Sequence, residues 1–219
     1  MKKLFLPLLF ALSLLAAPID GTLAVMWYPS VCKTSHYPAC KRPLPFWMQN
    51  FTLHGLWPKR QYCHVPARLK ILDKKGAWQQ IPLKLPPSLE ELLLRYMPGT
   101  ISGLHKHEWV KHGSCYSSSP EVYFLDAIAL VKQLNETPIK DFFIQHRGRR
   151  IQTYKIRRLF DKVYFKGAGR RVKFICKRGY LTQMYIRIRG YLSPQTPLGE
   201  LLLHARPVHR GCNIGIIAR

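Results

Sequence analysis

Acidic residues are scarce in this sequence. Asp and Glu number 11 against 35 Lys and Arg in 219 residues, and the formal net charge is +24. The imbalance is sharpest in residues 140–219, where 19 Lys/Arg face 3 Asp/Glu, a local excess of +16. Self-repulsion on that scale opposes a compact chain, so it points to a polyanionic partner: nucleic acid, anionic lipid or lipopolysaccharide. No Cys-x-x-Cys pair occurs, which argues against a zinc ribbon. No Gly-x-Ser-x-Gly elbow occurs, which weakens a serine-hydrolase reading. The six cysteines can all pair, which leaves no obvious free thiol as nucleophile. Beyond the N-terminal stretch no apolar run is long enough to span a membrane, and there is neither an internal repeat nor a low-complexity tract.

What is present suits one folded domain. A content of 47% hydrophobic and 12% aromatic residues is enough to bury one good core. Lys2 and Lys3, an apolar run over 4–15 and the small Ala16 and Ala17 read as an export signal. Its boundary is taken as residues 1–21, with cleavage plausible after Ala17 and with Gly21 and Ala24 as alternatives; the folded domain is then 22–219. Six cysteines in an exported chain suggest three disulfides. Cys32 and Cys40 are close enough to pair, whereas Cys63, Cys115, Cys176 and Cys212 are left unranked by spacing alone.

Along the chain, residues 22–27 read as a first strand, followed by a stapled, Pro-rich loop over 32–45. Residues 51–58 read as a second strand running into a turn at Gly55 and Pro58, with Phe51 and Leu53 on one side and Thr52 and His54 on the other. Residues 59–87 are a basic, Pro-containing connection with room for one short helix. Ser88 with Glu91 predicts a capping box at the start of a helix that ends at Pro98 and Gly99. Ser119 and Pro120 open another helix over about 121–134, and a short one is predicted at 141–146. Residues 151–161 are ambiguous. Residues 171–176 and 181–189 predict a β-hairpin, with Gln183, Tyr185, Arg187 and Arg189 on one face of its second strand. The tail, 211–219, predicts an edge strand. Helices cluster in the middle and strands at both ends, which argues for an α+β fold.

The densest chemistry lies in residues 104–115. On a helix at about 100° per residue, His107, Glu108, Lys111 and His112 share one face, while Trp109 and Val110 point away. Gly113 is placed to stop that helix. His107-Glu108 followed by His112 superficially resembles a zinc-protease motif. The histidines are five residues apart and not four, so a helix would turn them about 140° from each other. Lys111 would also stand beside the ion, and no metal is expected.

Phosphoryl chemistry suits these groups better. Cleaving RNA through its own 2′-OH needs a base for that hydroxyl, an acid for the leaving 5′-oxygen and cations at the phosphorane, but no protein nucleophile. Two histidines in opposite protonation states can serve as acid and base. Lys111 can hold developing charge, and Glu108, four residues before His112, can orient that ring. A further histidine is needed from elsewhere, and His54, at a Gly turn beside Trp57, is the natural partner. Trp57 offers a face for base stacking.

At these two stretches the chain resembles the ribonuclease T2 family. Phe51-Thr52-Leu53-His54-Gly55-Leu56-Trp57-Pro58 is similar to its first active-site motif, and residues 104–115 to its second. Trp27-x-Pro29-x-x-Cys32, with Cys40 nearby, is similar to bacterial members, whereas residues 59–87 carry little of the resemblance. The resemblance implies an α+β domain with a central antiparallel sheet and packed helices, and metal-free, cofactor-free cleavage of single-stranded RNA through a 2′,3′-cyclic phosphate to a 3′-phosphate. It implies His54 as general acid, His112 as general base, His107 as a phosphate ligand, Glu108 and Lys111 as transition-state stabilisers, and Trp57 as a base-stacking residue. It also implies Cys63–Cys115 and Cys176–Cys212 as disulfides. Many members carry Asp or Asn where this chain has Lys59; a cation there favours backbone contact over base choice, so weak base preference is expected.

The expectation is therefore a secreted or periplasmic endoribonuclease, monomeric and without a transmembrane segment. The alternative is a cationic RNA- or membrane-binding effector whose action needs no catalysis. The sequon Asn135-Glu136-Thr137 is a further candidate feature.

Overall fold

The computed structural model describes residues 17–219; the expected export signal lies largely outside them. In chain order the elements are β1 (Ala17–Trp27), α1 (Tyr28–Thr34), α2 (Pro45–Gln49), β2 (Phe51–Pro58), α3 (Ala67–Lys74), α4 (Pro87–Tyr96), α5 (Leu104–Lys111), α6 (Pro120–Asn135), α7 (Pro138–Gln145), β3 (Arg150–Gln152), α8 (Thr153–Val163), β4 (Val172–Lys177), β5 (Tyr180–Leu192), α9 (Leu198–Leu203) and β6 (Ile214–Ile216). The predicted α+β class holds. The strands form one sheet in the order β2-β1-β5-β6-β3, with β4 paired to β5. All its pairings are antiparallel except the single β5–β6 rung, Tyr180 to Ile216.

The sheet is covered by the central helices because its strands alternate. Leu23, Val25 and Trp27 of β1 and Leu53 of β2 join one core with Tyr123, Phe124 and Ala127 of α6. Met26 points away, into a smaller cluster with Tyr28, Val31 and Trp47. The Tyr123 hydroxyl donates to the Leu56 carbonyl at 3.0 Å and so ties α6 to β2. Arg178 and Gly179, both at positive φ (49° and 80°), close the β4–β5 hairpin, as a two-residue turn matched to strand twist requires.

Several expectations are corrected. β1 runs Ala17–Trp27, longer at its start than the strand expected over 22–27, and pairs with β5 from Ala17–Leu192 onwards. Ser88 caps nothing: Pro86 and Pro87 set the start of α4 without a side-chain hydrogen bond, since Pro at the first turn needs no amide partner. Residues 28–34 are helical, so the first residues of the loop expected over 32–45 belong to α1. The tail strand β6 lies inside the sheet between β5 and β3. Asn135 is buried and brackets Phe51, accepting from its amide at 2.8 Å and donating to its carbonyl at 3.0 Å, so its amide is committed to the fold.

Three disulfides staple the domain: Cys32–Cys40, Cys63–Cys115 and Cys176–Cys212. Cys63–Cys115 closes a separation of 52 residues, for which a chain-entropy treatment gives about 4 kcal/mol. It joins the chain just after β2 to the chain just after α5. No helix among the described residues is long and apolar enough to cross a membrane.

Candidate active site

His54 enters the site through an irregularity in β2. The β1–β2 register runs Ala24 to Gly55 and then Val25 to Leu53, so His54 has no partner residue across the strand pair. A bulge of this kind re-aims one side chain. Its Nδ1–H donates to Gln183 Oε1 of β5 at 2.8 Å. That bond fixes the ring and turns Nε2 towards the Glu108 carboxylate, 3.7 Å from Oε1.

Glu108, on α5, is the centre of the cluster and is only 1% exposed. Its Oε2 accepts the indole N–H of Trp57 at 2.7 Å. Its Oε1 is buried with no hydrogen-bond partner and faces His54 and, at 4.0 Å, His107 Nε2. Burial pushes its carboxyl up to about 8, against the pull of the Trp57 hydrogen bond and of Lys111, because a charge without water is penalised most. Gly55 makes room for it: a Cβ there would overlap the Glu108 carboxylate and the Trp57 ring nitrogen. Among the described residues no hydrogen bond or ion pair joins Glu108 to His112; the carboxyl faces His54 and His107 and accepts from Trp57 instead.

His112 caps the C-terminal end of α5. The helix ends at Lys111, and His112 takes φ −119° and ψ −49° while its amide still bonds the Glu108 carbonyl at 2.9 Å. Its ring stacks on Trp57, centroids 5.6 Å apart and 29° between planes. It is 5% exposed and its Nδ1 has no partner. Burial, then Lys111, His107 and His54, lower its pKa to about 3. Gly113 is required for space and not for helix termination: a Cβ would press on Trp109 and Tyr123.

This exit from the helix also changes the metal argument. His107, Glu108 and His112 each bring one ligand-type atom within 4.8 Å of the others, so the five-residue spacing does not hold the two imidazoles apart. These three residues could hold a divalent ion, with Lys111 opposing a cation beside them.

His107 is held by residues that sequence reasoning missed. Asp73 Oδ1, in the last turn of α3, accepts from His107 Nδ1 at 2.6 Å. Asp73 is 4% exposed, and its Oδ2 accepts the Tyr62 hydroxyl at 2.7 Å. Trp78 covers the His107 ring at 4.7 Å and donates its N–H to the Asp73 carbonyl at 3.2 Å. Tyr62 and His64 adopt positive φ, 57° and 54°, on either side of the bridged Cys63, a strained turn that the disulfide and the Tyr62 amide bond to the Lys111 carbonyl hold in place. Burial lowers the His107 pKa and Asp73 pulls it back up. The available signal was that Asp73 is the sole acid in residues 59–87.

Trp57 is a wall of the site: it touches His112, His54 at 5.1 Å and Tyr185 at 4.9 Å. Tyr185 and Gln183 come from the polar face of β5 noted in the sequence, and Arg187 on that face pairs with Asp20 at 2.5 Å. Lys59, expected at the substrate, is exposed at the end of β2 and pairs with the same Asp20 at 2.5 Å. The trio Lys59, Arg187 and Asp20 keeps one net positive charge.

The arrangement thus presents three imidazoles and an ammonium around one buried carboxyl, drawn from β2 and α5 and braced by α3 and β5. The Ribonuclease T2 family model matches residues 21–195. Mouse ribonuclease T2-A is 30% identical over 115 residues, covering 50% of this chain and 40% of that protein. Ribonuclease I of Escherichia coli K12 is 30% identical over 106 residues, covering 45% of this chain and 38% of that protein. The chain therefore spans about two fifths of the length of these curated relatives. Among solved structures, the self-incompatibility-associated SF11-RNase of Nicotiana alata superposes with TM-score 0.62 at 17% identity, covering 93% of this chain and 100% of that one. Human RNase T2 superposes with TM-score 0.54 at 17% identity over 91% and 97%. At such identities the structural likeness speaks to the fold alone.

Proposed function

This chain belongs to the ribonuclease T2 family, and from that premise we propose that it is a metal-independent endoribonuclease, cleaving single-stranded RNA through a 2′,3′-cyclic phosphate to a 3′-phosphate. The observation that carries the reading is the set of imidazoles in unlike environments around Glu108, with no protein nucleophile among them. Pairs of titratable groups pushed apart by their surroundings mark acid and base roles.

His112, with its pKa lowered to about 3, stays neutral near pH 7 and acts as base, taking the proton of the 2′-OH. The 2′-oxygen attacks phosphorus, the P–O5′ bond breaks, and the 5′-oxygen takes a proton from His54. Burial lowers the His54 pKa, and its bond to Gln183 opposes that fall; the phosphodiester anion raises it further on binding. In the second step water replaces the 5′-hydroxyl and the roles reverse: His54 takes the water proton and His112 returns one to the 2′-oxygen. Glu108, held largely protonated below about pH 8, can donate to a non-bridging oxygen that Lys111 and His107 also face. Trp57 contacts the base, and Lys59 the backbone, so base preference is weak.

The three disulfides suit an oxidising compartment, which supports export to the periplasm or the medium; we take the protein to act as a monomer. The deciding experiment is digestion of RNA in EDTA with product analysis. A cyclic-phosphate product that persists in chelator, and is lost by a factor of about 10²–10⁴ in His54→Ala and in His112→Ala, fits general acid–base catalysis. Unchanged turnover in both variants would sink it. The high positive charge supports a second reading, an effector acting by binding alone; any biological effect that survives His112→Ala would favour it.

A further inference from the structure

A second concave site lies away from the catalytic centre, with which it shares no lining residue. It is a cleft of about 740 Å³ between α8, the turn over 167–171 and the segment 207–214, lined by Arg157, Arg158, Arg170 and Arg210. Its one carboxylate, Asp161, is turned inward, where Oδ1 accepts the amides of Gly167 and Gly169 at 3.1 and 2.7 Å. Arg158, Arg170 and Arg210 are exposed, and among the described residues their side chains make no ion pair or hydrogen bond to protein.

Arg157 plays a different part. It lies over the Phe174 ring at 4.8 Å and donates to the carbonyls of Gly169, Val172 and Arg210. It is a strut that orders the two loops carrying Arg170 and Arg210. Burial first, and then the nearby Arg210, lower its pKa to about 10. Gathering unpaired guanidinium groups on ordered loops is unfavourable unless an anion joins them. Their planar forks match phosphate oxygens in pairs. At the lip, Tyr154 is 45% exposed, with the Arg158 guanidinium 5.2 Å from its ring, the arrangement on which unpaired bases stack.

We propose that this cleft is a second binding site for single-stranded nucleic acid, holding two or three consecutive phosphates through Arg158, Arg170 and Arg210. The choice of nucleic acid over other polyanions rests on the ribonuclease reading. In that setting the cleft would retain long substrates and leave the chemistry at each bond unchanged.

The test measures binding of the whole protein to a non-cleavable single-stranded DNA 20-mer by fluorescence anisotropy across a salt series, and separately the kcat/KM on a ribodinucleotide. The triple variant Arg158→Ala, Arg170→Ala, Arg210→Ala is compared with Lys33→Ala, Arg42→Ala, Lys84→Ala, which removes equal charge from exposed positions elsewhere. Three phosphate contacts at about 0.7 counterions each predict a salt slope shallower by about 2 and an affinity roughly 100-fold weaker near 0.1 M salt. The control triple should keep most of the wild-type slope, and both should cleave the dinucleotide at the wild-type rate. Equal losses in the two triples, or an unchanged slope in the cleft triple, would overturn the proposal. So would retained DNA affinity together with lost binding to anionic phosphatidylglycerol vesicles. Because the probe is not cleaved, a protein inactive on the dinucleotide would overturn the ribonuclease reading while leaving the cleft measurement intact.

Discussion

The Asp73–His107 pair carries a quantitative expectation. Asp73→Asn keeps the shape of the side chain and an oxygen able to accept from His107 Nδ1, now 2.6 Å away, while removing the charge. A hydrogen bond to a charged group contributes about 1.5–3 kcal/mol and a neutral one about 0.5–1.5. The imidazolium of His107 should therefore lose about 1–2 kcal/mol relative to neutral imidazole, a shift of roughly one pKa unit downwards. Burial already depresses that pKa, with Asp73 as its main opponent, so near neutral pH the variant holds His107 in the neutral form. If His107 binds phosphate as a cation, KM for a dinucleotide rises by about 5- to 30-fold. The deficit shrinks as pH falls and the ring protonates without help. The assays are kcat and KM between pH 4.5 and 7.5 and the His107 titration by NMR. A pKa of His107 that does not move, or a loss of activity independent of pH, would refute the assignment; a large drop in Tm would instead mark Asp73 as structural.

Other outcomes follow from the same geometry. Gly55→Ala places a methyl where the Glu108 carboxylate lies; activity should fall by about 10² or more, and wild-type activity would show that the carboxylate is not needed there. Glu108 gives a pH signature: its folded pKa, about 8, stands above its ordinary 4.5. Its contribution is thus fully present below 4.5 and lost as pH rises through 8. His105 and His112, lowered to about 4 and 3, act oppositely, contributing above 6.5 and losing it as pH falls. Between pH 6.5 and 8, wild type should therefore lose on the order of 1–2 kcal/mol relative to Glu108→Gln in denaturant titrations, and a flat difference would mean a carboxylate already ionised. Because His107, Glu108 and His112 converge, excess Zn²⁺ should inhibit in competition with substrate and EDTA should reverse it; zinc-insensitive turnover would count against that convergence in solution. N-terminal sequencing of exported protein should return Pro18, since that cut removes only the Ala17–Leu192 rung of the β1–β5 ladder, whereas a cut after Gly21 or Ala24 removes five or eight rungs; Thr22 or Val25 at the terminus would contradict this.

What was legible in the sequence and what was not divides along a physical line. Patterns that depend on local period were readable. The span of β2 was read correctly, although the strand continues through Gly55 without the expected turn there; the β4–β5 hairpin closes at the expected turn, and Ser119 accepts from the Val122 amide at 3.3 Å at the start of α6. Residues 151–161 defeated the same reasoning because a three-residue strand passes directly into α8, too short a run for any period to show. The site needed more than period. A helical wheel put His107, Glu108, Lys111 and His112 on one face, and His107, Glu108 and His112 do converge; what it could not give is the burial of His112 and its stack on Trp57. The bulge at His54 exists only in the pairing of β2 with β1. Asp73 reaches His107 across 34 residues, through a strained turn that the Cys63–Cys115 bridge holds. Each of these non-local features acts on the environment of an imidazole or of Glu108: the bulge and Gln183 on His54, the helix exit on His112, Asp73 on His107, Gly55 on the carboxyl. The motifs thus mark the groups proposed to do the chemistry, while the distant contacts shape the surroundings in which each would titrate. A chain keeping both motifs but lacking a carboxylate near position 73 should therefore bind phosphate with a different pH dependence, not a different chemistry.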